Sequence, residues 1–165
     1  MIQVATLLGS VMSGLRDRHY PKGNAVYVVR DEAHLLYIGE TRKGVWQRIR
    51  SHIIRADDAF GTVTRAHWPA AAKWHAEVCY FGDAGGIRLL EQALIGRYCP
   101  ECNRTYNRGI PDPTPMVIAP QDLATMGESC QHVLAEGWPS FQAIALEPPA
   151  WQRTVPPPRR RGRTP

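Results

Sequence analysis

No uninterrupted apolar run in this chain is long enough to span a bilayer, and its first residues carry no charged start leading into a long apolar stretch. We therefore expect neither a membrane span nor a signal peptide. Cysteine is scarce, with four in 165 residues. Without a secretory leader these read as reduced thiols in a cytoplasm, bacterial or phage-encoded, rather than as a disulfide frame. No internal repeat is present. Residues 111–150 contain five acids and no lysine or arginine, and no helix-turn-helix pattern or zinc finger that would read DNA. Residues 151–165 show the opposite imbalance: Arg153, Arg159, Arg160, Arg161 and Arg163 with no acid. Those five arginines account for the whole formal net charge of +5, because the other 15 basic residues are matched by 15 acids.

What is present is one domain's worth of core-forming sequence plus a tail. Residues 16–55 carry nine basic and four acidic groups. That surplus suits a phosphate backbone, although a basic surface also simply solvates a fold. Within it, Asn24-Ala25-Val26-Tyr27-Val28-Val29-Arg30 and Leu35-Leu36-Tyr37-Ile38-Gly39-Glu40-Thr41 flank the polar Asp31-Glu32-Ala33-His34. Both runs are β-branched and aromatic, so they predict a β-hairpin. Closure through three or five residues centred on Glu32 sets Tyr27 directly across from Tyr37, with both phenols on one face.

Before the hairpin, Ile2, Leu7, Leu8, Val11 and Met12 fall near helical spacing and predict a packing helix over residues 1–15. Arg16 to Lys22 reads as an entry loop. After the hairpin, Thr41 suits an N-cap. Val45, Ile49 and Ile53 then form an i, i+4, i+8 stripe, with Arg48 and His52 together on the bordering face. Asp57-Asp58 and Gly61 predict a loop, and the alanines after Pro69 a short helix. Lys73 to Phe81 alternates as a third strand with one face buried. A helix follows from Ile87 to Tyr98, stopped by Pro100, with Glu91 beside its apolar stripe. Residues 109–120 hold four prolines and predict an extended connector. Gln121 to Glu136 predicts an acidic helix with Leu123, Met126, Cys130, Val133 and Leu134 inward. Trp138 to Ala150 is apolar, and the Pro/Arg-rich end is expected to be disordered.

The two tyrosine tripeptides, Ala25-Val26-Tyr27 and Tyr37-Ile38-Gly39, followed in order by Arg48, His52, Glu91 and Asn103, resemble the GIY-YIG nuclease family over roughly residues 23–107. Ala25-Val26 departs from the family's Gly-Ile. The resemblance implies an α+β sandwich: a small three-stranded antiparallel sheet flanked by helices. The expected organisation is an N-terminal helical extension (1–22), a nuclease domain (23–110), an acidic helical extension packed on it (111–150) and a basic tail (151–165). It also implies a metal-dependent DNA endonuclease. Tyr27 would act as general base, Tyr37 would hold phosphate or water, and Arg48 would bind the phosphate. Glu91 would be the ligand of Mg²⁺ or Mn²⁺, and Asn103, or failing it Asn107, would brace the site.

A free phenol has a pKa near 10, so Tyr27 needs neighbouring cations to favour phenolate. His52 is the candidate to accept its hydrogen bond, a task Lys43 shares as alternative. Gly39, Thr41, Arg42, Lys43, Arg48 and Arg50 are the candidates for contact with DNA, double-stranded or structured. Sequence specificity then comes from the domain, from a homodimer or from a protein partner. Two alternatives stay open: a binding module that keeps the fold without catalysis, and a structure-specific or RNA-directed nuclease. Cys99, Cys102, Cys130 and His132 offer a weak zinc pattern, against which packed thiols are favoured.

Overall fold

The computed structural model describes residues 1–13, 23–32, 34–82, 85–107, 109 and 118–139. The expected entry loop at 16–22, most of the proline connector, the segment beyond residue 139 and the basic tail lie outside the described residues. The structure is α+β: a four-stranded antiparallel sheet flanked by helices on both faces.

The strands are β1 (Ile2–Leu7), β2 (Ala25–Arg30), β3 (Leu35–Thr41) and β4 (His75–Tyr80), in the order β1-β4-β2-β3. The sheet thus has four strands where three were expected. The fourth is β1, taken from the segment predicted as helix, and only Leu8–Met12 (α1) is helical there. Ile2–Leu7 becomes a strand because β4 supplies its ladder, from Ile2↔Tyr80 to Leu7↔His75. That partner lies some seventy residues away, beyond the reach of local periodicity. β4 in turn is sandwiched between β1 and β2, and both of its faces are buried rather than one.

On one face lie α1, α2 (Val45–Arg55), α3 (Ala59–Ala66) and a short 3₁₀ turn (Ala70–Lys73). Leu8, Val11, Val45, Trp46, Ile49, Ile53 and Phe60 pack there onto Ala25, Tyr27, Val29, Ala76 and Val78. On the other face, α4 (Ile87–Tyr98) and α6 (Glu128–Glu136) bring Leu90, Leu94, Ile95, Cys130 and Val133 onto Val26, Val28, Ile38 and Cys79. The alternation of β2 assigns its odd residues to one layer and its even residues to the other. The single acidic helix expected over 121–136 is two: α5 (Pro120–Ala124) and α6, broken at Thr125–Gly127, which leaves Leu123 exposed. The break is where the chain presses on Gly85, whose α-carbon has the Thr125 carbonyl as its neighbour.

Glu77, on β4, is buried among apolar residues yet fully engaged. Arg30 Nε donates to its Oε1 at 2.6 Å and Trp138 Nε1 to its Oε2 at 3.1 Å. Trp138 N–H also donates to the Tyr98 hydroxyl at 3.2 Å, and Arg97 to the Leu134 carbonyl at 3.3 Å. These bonds fasten the end of α6 to the sheet and to α4. Among the described residues, no helix is long and apolar enough to cross a membrane.

Candidate active site at the open edge of the sheet

The hairpin closes differently from expectation. Asp31 Oδ1 accepts the His34 N–H at 2.7 Å and so fixes a four-residue turn. A bulge at Val29/Arg30 then adds one residue to β3, so Tyr27 pairs with Gly39, and Tyr37 with Val29. The register has moved by two residues, one full strand period, so both tyrosines keep the same face. Their ring centroids are 6.0 Å apart. The Tyr27 ring crosses over Gly39, where a Cβ would stand 2.5 Å from its Cζ and 2.5 Å from its hydroxyl. Glycine is the residue that lets the buried phenol reach the edge strand.

α2 carries Arg48 and His52 one turn apart, on the side facing the tyrosines. Its N-cap is Gly44 rather than Thr41, whose Oγ1 instead accepts the Lys43 N–H at 3.1 Å. His52 is buried, and its Nε2 lies 3.4 Å from the Tyr27 hydroxyl. The segment expected as a loop at 57–61 is a tight reversal into a helix. Ala56 caps α2 in the left-handed region (φ 49°), and Asp58 begins α3. Asp58 Oδ1 accepts the Gly61 N–H at 2.7 Å, while its Oδ2 bonds His52 Nδ1. At Gly61 α3 runs so close to the His52 carbonyl that no side chain fits between them. Phe60, one residue into α3, stacks on Tyr37 with centroids 4.7 Å apart and planes 14° apart.

The third contribution comes from α4 and the loop after it. Residues 101–103 run along the free edge of β3: Glu101 N–H donates to Leu35 O and Cys102 N–H to Leu36 O. Asn103 completes the cover with its side chain. Its Oδ1 accepts the Ile38 N–H and its Nδ2 donates to the Ile38 carbonyl, both at 2.8 Å. Asn107 has a different task, donating to the Pro100 carbonyl at 2.6 Å.

Tyr27, Tyr37, Glu40, Arg48, Asp58, Arg88, Glu91, Asn103, Arg104 and Tyr106 all border one open cleft of about 590 Å³. Of the expected site, Tyr27, Tyr37, Arg48, Glu91 and Asn103 therefore converge, with His52 immediately behind Tyr27. Arg48, Arg88 and Arg104 are exposed at the cleft. The expected DNA contacts do not all gather there. Arg42 and Lys43 are exposed but do not line it, Thr41 is buried in its own turn, and Arg50 donates to the Val11 carbonyl at 3.2 Å. Cys102 and Cys130 belong to opposite faces of the sheet, which separates the cysteines that a zinc site would unite.

Burial dominates the electrostatics. Tyr27 is 0 % exposed. Its phenol is pushed well above the ordinary value of 10.0 by that burial and by Tyr37 and Glu91, outweighing the nearby Arg48 charge. Of the cations that could favour phenolate, Arg48 alone does not offset the burial of the ring. Tyr37 is pushed up to about 12 by burial and by the charges of Asp58 and Glu91. His52 is moved below 6.5 by burial, which outweighs Asp58. The Glu91 carboxyl is raised to about 7 by burial and then by the charge of Glu40, against the opposing charges of Arg88 and Arg48.

Glu40 Oε2 is itself buried with no hydrogen-bond partner among the described residues. Two neighbouring carboxyls, one with an orphaned oxygen, fit a hard divalent cation. Among the described residues, the group of three metal-type ligand atoms lying mutually within 4.8 Å is His52, Asp57 and Asp58. Within that group, His52 Nδ1 is already hydrogen-bonded to Asp58 Oδ2.

Sequence reasoning missed Glu40, Asp58, Phe60, Arg88 and Arg104. Arg88 stands three residues before Glu91 on one helix, a spacing that places both on the same side. Asp58 before Phe60 and Thr64 carries the signature of a capped helix. Comparison with family models, with curated proteins and with solved structures finds no match to this chain.

Proposed function

We propose that this protein is a divalent-metal-dependent endonuclease that hydrolyses phosphodiester bonds in DNA, organised as in the GIY-YIG nucleases. The observation that carries the reading is the convergence of Tyr27, Tyr37, Arg48, Glu91 and Asn103, from β2, β3, α2, α4 and the following loop, on one open cleft.

Each side chain has a role that its surroundings permit. The exposed arginines Arg48, Arg88 and Arg104 bind phosphate oxygens, and a guanidinium pairs them in bidentate fashion. Tyr37, held flat by Phe60, orients phosphate or water. Tyr27 receives a proton from the attacking water as that oxygen bonds to phosphorus and the opposite P–O bond breaks. Because Tyr27 rests as the neutral phenol, it passes its own proton to His52 Nε2 in the same step. Asn103 holds the Ile38 peptide between Tyr37 and Gly39, and so fixes the strand that carries them. Glu91, with Glu40 beside it, would hold Mg²⁺ or Mn²⁺, whose charge supplies relief for the phosphate and the leaving oxygen.

Nicking of supercoiled plasmid in Mg²⁺, lost in EDTA, is the expected result. Glu91→Ala should abolish nicking while leaving DNA affinity largely intact. Binding without nicking by the wild-type protein in any divalent metal would instead make the cleft a binding module. Nicking by Glu91→Ala at the wild-type rate would remove Glu91 from the metal site.

A further inference from the structure

We infer that Asp58 is a positioning residue that holds His52 in the tautomer whose Nε2 accepts the Tyr27 proton, so that Tyr27, His52 and Asp58 form one proton relay. The argument follows the partners of each nitrogen. An ionised carboxylate only accepts hydrogen bonds, and Asp58 Oδ2 bonds His52 Nδ1. Nδ1 therefore carries the proton. In the neutral ring Nε2 is then a bare lone pair, and it lies 3.4 Å from the Tyr27 hydroxyl. Arg48, whose charge lies near the phenol, has no acceptor atom and so offers no destination for the phenol's proton. Burial keeps the ring neutral by moving His52 below 6.5, against the opposing pull of Asp58 and Asp57 and alongside Arg48 on the same helix.

The fold fixes Asp58 independently of the site. Its other oxygen caps α3 through the Gly61 N–H at 2.7 Å. The carboxylate is thus aimed by a helix start, and the ring it holds is packed edge-on against Phe60 from the same helix, centroids 6.1 Å apart. A buried, neutral Tyr27 cannot serve as a base unless its proton has a destination, and this pair provides one. The shuttle balances: water gives a proton to Tyr27 oxygen, Tyr27 gives its proton to Nε2, and the imidazolium so formed is stabilised by the Asp58 charge.

The catalytic use of the relay rests on the hydrolytic reading above, but the tautomer does not. Asp58→Asn separates the two functions of the carboxylate. Its single carbonyl oxygen is needed at the Gly61 N–H, which leaves the amide NH₂ facing Nδ1 and forces the proton to Nε2.

The experiment is long-range ¹H–¹⁵N correlation of histidine-labelled full-length protein, with His52 assigned by His52→Gln. The expected wild-type spectrum has Nδ1 protonated and Nε2 bare, and Asp58→Asn reverses them. Plasmid nicking by Asp58→Asn should fall about 10²–10⁴-fold in kcat, the range of a lost general base, with KM little changed. If Asp58→Asn does not fold, Asp58→Ser keeps the cap, removes the partner of Nδ1 and should show mixed tautomers. A wild-type His52 protonated at Nε2, or a tautomer that Asp58→Asn or Asp58→Ser leaves unchanged, overturns the proposal. A wild-type protein that nicks nothing but shows the bare Nε2 refutes the nuclease reading alone.

Discussion

Tyr27 lies across Gly39 so closely that a methyl group on the glycine would stand 2.5 Å from the phenol's Cζ and hydroxyl. The Tyr37 Cε1 would be 2.9 Å away on the other side. Gly39→Ala should therefore push one ring or both out of place. Overpacking of this kind costs about 1–3 kcal/mol, read as a lower urea midpoint, and nicking should fall by more than the loss of folded protein explains. A variant with wild-type midpoint and rate would show that the crossing of ring and backbone has no functional weight.

Tyr27→Phe keeps the ring and removes the oxygen that faces His52 Nε2. Folding should change little, since one buried hydrogen bond contributes about 0.5–1.5 kcal/mol net. Turnover should drop by about two orders of magnitude or more. Single-turnover nicking with saturating protein makes the comparison. Full activity in this variant would eliminate the phenol as proton carrier.

Asn103 joins Ile38 by two bonds of 2.8 Å on the free edge of β3. Asn103→Ala should cost about 1–3 kcal/mol for the pair and speed amide exchange at Ile38 above that at its neighbours. Asn103→Asp should be worse, since a carboxylate cannot donate to the Ile38 carbonyl and confronts it with negative charge. Equal protection of Ile38 in all three proteins would show that the side chain does not hold the strand.

Glu101 gives a pH signature. Its carboxyl is raised to about 8 by burial and then by Asp31, and its Oε2 is buried without a partner among the described residues. A carboxyl raised in the folded state binds its proton more tightly there than when unfolded. Its favourable contribution is complete below the ordinary 4.5 and disappears as pH climbs through about 8. Glu101→Gln should therefore raise the melting temperature at pH 8 more than at pH 4.5. An equal shift at both would mean that the carboxyl titrates as an exposed one.

The legible parts of this chain were those whose cause is local. The limits of α4 at Ile87–Tyr98 follow from a glycine before it and Pro100 after it, and the hairpin from two β-branched runs around a polar turn. The stripe of Val45, Ile49 and Ile53 was readable for the same reason, and all three are buried. What escaped depends on distant partners. β1 exists because of β4, and the two-residue change in hairpin register because of one aspartate in the turn and one bulge.

In the candidate site, the residues whose spacing echoes a known pattern were placed together, while those that aim them were not anticipated. Gly61 looked like a turn and is instead the contact at which two helices nearly touch. That misreading hid α3, and with it Phe60 and Asp58. Glu40 passed as a polar strand residue because nothing in its neighbourhood along the chain announces Glu91.

The tie from Trp138 to Glu77 bears on where this protein can be shortened. An expression boundary drawn after residue 110, where the expected nuclease domain ends, would strip Cys130, Val133 and Trp138 from the layer over Val26, Val28 and Leu94. It would also take the Trp138 donor from a carboxylate sealed inside the sheet. Such a fragment should aggregate rather than act alone, because α6 and Trp138 form part of the wall behind the sheet that bears the cleft.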